Sequence, residues 1–115
     1  MNIDIEAVIQ ALEIFTTDES KYFHTCLGIK DNDANMILTW SEEIVNDYLS
    51  LDSGWDVPDV ITDLLLATKF HGLNSTQALY FLMHGYYTLA SQLESADFFV
   101  VGENLKAKDL PASSN

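Results

Sequence analysis

His24 and Cys26 stand two residues apart in the stretch HTC, and Cys26 is the only cysteine in the 115-residue chain. A thiol beside an imidazole can act as an activated nucleophile, but acyl transfer also needs donors for the oxyanion, and no neighbouring motif supplies them. As metal ligands the pair lacks the two further positions of a zinc site. His71 and His84 are remote, and no HExxH, G-x-S-x-G or glycine-rich phosphate loop occurs. Carboxylates are plentiful, yet no pattern sets two of them across an apolar cleft, where one would be held protonated for general acid work. The expectation is a protein that binds rather than one that catalyses, with no cofactor.

The stretch DNDANMILTWSE, residues 31–42, offers oxygen ligands at a regular spacing. It resembles an EF-hand calcium loop, with Asp31, Asp33 and Asn35 at loop positions one, three and five, and Glu42 at twelve. Leu38 occupies the usual apolar position eight, and Met36 stands at position six, where such loops carry glycine. The resemblance implies a calcium site at Asp31, Asp33, Asn35 and Glu42. The same residues also read as an Asp/Asn-rich turn capping the helix that follows.

A third feature is SEEIVNDYLSLDSGWDVPDVITD, residues 41–63, with seven carboxylates and no basic side chain. From Asp31 to Thr68 there is no Lys, Arg or His. At about 100° per residue, Glu43 and Asp47 fall together on one helix and Asp56, Asp59 and Asp63 form a ladder on the next. Neighbours at three- and four-residue spacing lie roughly 5–6 Å apart and repel, and a surface built for solubility alone would intersperse Lys. Trp40 falls beside Glu43 and Asp47, Leu66 beside Asp59 and Asp63, and Trp55 in the connecting turn. Glu42, Glu43, Asp47, Asp52, Asp56, Asp59 and Asp63, with Trp40, Trp55 and Leu66 as anchors, are therefore the candidate partner-binding residues. Steering charge around buried aromatic anchors is how a tight protein contact is built. The alternative is a solvated face with both tryptophans packed under loops.

The bulk composition limits the partner. Eighteen Asp and Glu face five Lys and no Arg, a net charge of −13. Arginine is the residue that forks onto phosphate and base edges. Its absence argues against direct nucleic-acid binding and against docking on an anionic membrane. Basic proteins and divalent cations remain as attractive partners. The amino terminus lacks the basic start and apolar run of a signal peptide, no run approaches a membrane span, and the lone cysteine suits a reducing cytoplasm.

The elements that must position these residues are helical. Ile5, Val8, Ile9, Leu12 and Phe15 recur at helical spacing. TTDES offers caps for a shorter piece around Lys21–Cys26, and KDNDAN reads as a polar loop before a third helix from about Asn35 to Leu51. Ile37, Leu38, Ile44, Val45, Tyr48 and Leu49 share one side of it. Asp56 with Asp59, and Asn74 with Gln77, have capping-box spacing for a fourth and a fifth helix. The fifth, residues 75–96, is apolar nearly all round, which predicts a buried centre or a homodimer interface. DFFVVGENLK after it reads as a short strand or a docking extension. The expected fold is an all-α compact bundle of about five helices, one domain over residues 1–110 with a flexible tail at 111–115. At this size and charge, the expected function is a small acidic inhibitor of a basic partner. It would be an immunity protein or antitoxin against a cationic toxin, or a DNA mimic of anti-restriction or anti-CRISPR type. A calcium module and an acidic secretion-type chaperone are the alternatives.

Overall fold

The computed structural model of the chain describes residues 3–51 and 53–95. In order these form α1 (Ile5–Phe15), a single 3-10 turn (Ser20–Tyr22), α2 (Asp31–Leu49), α3 (Val57–Phe70) and α4 (Ser75–Ser95). No strand occurs among the described residues. The fold is the all-α bundle that the periodicity predicts, with four α-helices rather than about five. The piece around Lys21–Cys26 closes only one 3-10 turn because its capping residues bond locally. Ser20 Oγ accepts from the Thr17 amide at 2.9 Å and Thr17 Oγ1 from the Glu19 amide at 3.2 Å. Such bonds compete with helix propagation. Asp52, the tail at 111–115 and the strand or extension expected after α4 lie outside the described residues.

α4 is the centre of the bundle and packs most extensively on α2, then on α3. Tyr80, Phe81 and Leu89 are inaccessible to solvent, and Met83, Tyr86 and Leu93 are nearly so. Each such side chain contributes on the order of 1.5–3 kcal/mol by leaving water. Burial inside one chain accounts for most of this helix's apolar character. α4 meets α3 at Gly85, where a Cβ would lie 2.8 Å from the Cδ1 of the fully buried Leu64. Any larger residue there would require the Leu64 side chain to shift.

The helix ends explain where sequence reading held and where it did not. Asp56 Oδ1 accepts from the Asp59 amide at 3.1 Å while Asp59 Oδ2 accepts from the Asp56 amide at 3.0 Å, a complete capping box. Asn74 and Gln77 do the same for α4, at 2.8 and 3.0 Å. Asp4 caps α1 through the Ala7 amide.

α2 begins four residues earlier than the expected Asn35, and its N-cap, Lys30, has no side-chain oxygen to offer. Asp31 and Asp33 instead sit in the first turn, where negative charge meets the positive end of the helix dipole. Residues 31–42 are thus continuous helix, and the EF-hand-like loop does not form. Asp31 and Glu42 stand about 16 Å apart along the axis and Asp33 points to the opposite side from both, at helical rise and turn. Asp31, Asp33, Asn35 and Glu42 therefore cannot converge on one cation. Phe15 also departs from expectation: it closes the apolar stripe of α1 in sequence but is 67% exposed at the helix end.

Candidate functional site

α2 and α3 form an antiparallel pair. Trp40 on α2 stacks on His71 at the end of α3, with ring centroids 3.8 Å apart and planes within 4°. Eight residues further along α2, Tyr48 donates its hydroxyl to the Asp63 carboxylate, eight residues back on α3. Trp55, half-buried in the connecting segment, packs edge-on to Tyr48 at 5.7 Å. The two tryptophans expected as anchors are half-buried, and each packs at one end of the α2–α3 contact. Neither stands free.

The acids divide by what they touch. Asp56 and Asp59 are the reciprocal cap of α3. Asp63 is half-buried and holds the Tyr48 hydroxyl. That hydrogen bond, with partial burial and the charges of Asp63 and Asp59, pushes the Tyr48 phenol from its ordinary value up to about 12. Glu42 bonds to His84 across the α2–α4 contact, Nε2 to Oε2 at 2.9 Å. The His84 ring is buried, and its Nδ1 has no hydrogen-bond partner.

Glu43 and Asp47 differ from all of these. Both are exposed, one turn apart on α2, and neither carboxylate has a hydrogen bond or ion pair with a described residue. The only charge pairings among the described residues are His84–Glu42 and His24–Asp31, so no described lysine neutralises a carboxylate directly. Lys21 lies over the Tyr22 ring instead, 5.2 Å from its centroid.

Exposed apolar groups stand toward the Trp40–His71 end of the α2–α3 pair. Phe70 is 85% exposed and meets the edge of His71 at 5.2 Å, and Leu66, one turn before it, is 60% exposed. Sequence reading found Leu66 but missed Phe70, His71, Tyr48 and His84. His71 carries the signal of a helix stop, and Tyr48 that of an apolar core position. Their pairing with groups 15 to 42 residues away has no local signature.

His24 pairs with Asp31 at 2.8 Å, and Cys26 is exposed on its own. No group of three or more His, Cys, Asp or Glu among the described residues is arranged to hold a metal ion. No described helix is long and apolar enough to cross a membrane. No protein-family model, curated protein or solved structure matches this chain.

Proposed function

We propose that the chain is a non-enzymatic cytoplasmic protein that binds and blocks a basic partner through the carboxylate-rich α2–α3 face. Glu43 and Asp47 lead the contact, with Asp56, Asp59 and Asp63 adding field from α3. The observation that carries this reading is that neither Glu43 nor Asp47 has a hydrogen-bond or ion-pair partner among the described residues. Two like charges at i, i+4 cost a few tenths of a kcal/mol, and the fold gains nothing visible from them. A basic partner supplies the missing counter-charge and speeds encounter at low salt. The settings that fit are an immunity protein or antitoxin neutralising a nuclease, and a mimic of DNA that occupies a phosphate-binding surface.

Capture from a host lysate at low and at physiological salt tests the reading, with wild type and the double variant E43K/D47K compared. Wild type should retain a basic protein more strongly at low salt, and the variant should lose at least tenfold of that binding. A partner that the variant holds as tightly as wild type would overturn the proposal.

A further inference from the structure

The α2–α3 face is not uniformly acidic, and its two halves ask for different chemistry. The antiparallel register puts Trp40 and His71 at one end and Tyr48 and Asp63 at the other, separated by about 12 Å at the helical rise. On α3 the positions Asp59, Asp63, Leu66 and Phe70 follow at intervals of four, three and four residues, which is one stripe. The stripe runs from carboxylates to exposed hydrocarbon. On α2 the stripe through Trp40, Glu43 and Asp47 runs the same way in space, from the aromatic end to the acidic end. A lattice of charge that imitated phosphates alone would have no use for a phenyl ring left 85% in water.

Resting on the reading above, we propose that this face takes a basic amphipathic helix from a protein partner. The apolar side chains of that helix seat on Leu66, Phe70 and the edge of the Trp40–His71 stack. Its Lys and Arg side chains meet Glu43, Asp47 and Asp59. The stripe from Asp59 to Phe70 extends about 16 Å, so the partner contributes roughly three helical turns. Charge complementarity chooses the sign of the partner, and the position of Phe70 chooses which end of it is apolar. An amphipathic helix laid on an apolar face is an established recognition mode, and here the acids add register to it.

The test uses the full chain and two synthetic helical peptides of about fourteen residues, equal in charge, with Leu and Lys at helical spacing in one and Ser replacing Leu in the other. Binding is measured by calorimetry for wild type, L66S/F70S and E43K/D47K. The expected result is at least tenfold tighter binding of the Leu peptide by wild type. L66S/F70S should lower the Leu peptide to the level of the Ser peptide, and E43K/D47K should weaken both at least tenfold. Both altered pairs are exposed, and an unchanged far-ultraviolet dichroism spectrum verifies that they fold. If both peptides bind wild type equally and only E43K/D47K weakens them, the bipartite face is wrong while the acidic-surface reading stands. If neither peptide binds, or E43K/D47K has no effect, the acidic-surface reading falls as well. Sedimentation of wild type as a dimer that L66S/F70S dissolves would also overturn the proposal, because a second copy would then occupy the face.

Discussion

Glu43 and Asp47 on α2 and the carboxylates of α3 look alike in sequence and live differently in the fold. On α3, Asp56 and Asp59 satisfy each other's backbone amides, and Asp63 holds the Tyr48 hydroxyl. On α2, Glu43 and Asp47 hold nothing among the described residues. The density of charge in a stretch therefore does not measure how much of it is available to a partner. The hydrogen bonds each carboxylate makes do, and by that measure the unengaged charge of the pair lies at Glu43 and Asp47.

The comparison breaks most readily at α3. Replacing both Asp56 and Asp63 with Ala should cost about 2 kcal/mol of unfolding free energy, roughly 1 for a lost cap and 1 for the lost phenol hydrogen bond. The two sites are far enough apart for the effects to add approximately. Urea denaturation measures this, and a loss below about 0.5 kcal/mol, the range of ordinary surface changes, would remove the structural role assigned to these acids.

Alkaline titration sharpens the same contrast. The Tyr48 phenol is raised to about 12, chiefly by its hydrogen bond to Asp63. A raised folded pKa contributes stability that is fully present below the ordinary tyrosine value of about 10. That stability is lost as the pH climbs through the folded value. Absorbance of ionised tyrosine should show a late phase that Asp63→Asn moves back toward the ordinary range. Tyr80 is also raised, by burial, and should not respond to Asp63→Asn. A late phase unmoved by that substitution would mean that burial, not the hydrogen bond, holds the Tyr48 proton.

The smallest effect is expected on α2. E43Q/D47N should leave stability within about 0.5 kcal/mol of wild type, or raise it by a few tenths as the like-charge repulsion disappears. A clear destabilisation in thermal melting would show that these two carboxylates have an internal partner after all, and would erase the contrast between the helices.

Much of the fold was legible in sequence because its signals are local. The two capping boxes were readable from three-residue spacing, and the cores of α2 and α3 from apolar periodicity. The start of α2 was not, because Lys30 is not a capping type and the acids after it stabilise the first turn through the dipole rather than through a cap. The calcium-loop spacing of Asp31, Asp33 and Asn35 therefore falls within the first turns of a helix. In the candidate site, exposure of Glu43 and Asp47 followed from helical angles. The engagement of Asp63 with Tyr48, of Glu42 with His84 and of Trp40 with His71 did not, since tertiary register has no periodic signature along the chain.

The short connection between α2 and α3 has a kinetic consequence. The contacts that build this face, Tyr48–Asp63 and Trp40–His71, join residues 15 and 31 positions apart, whereas Glu42 reaches His84 across 42. Chain closure over short separations is fast, so the α2–α3 hairpin should assemble before α4 seals beneath it. α4 nevertheless packs on α2 more extensively than α3 does, so most of the burial is gained only when it docks. Amides at the centre of α4, around the buried Tyr80, Phe81 and Leu89, should therefore exchange with solvent no faster than those of the hairpin.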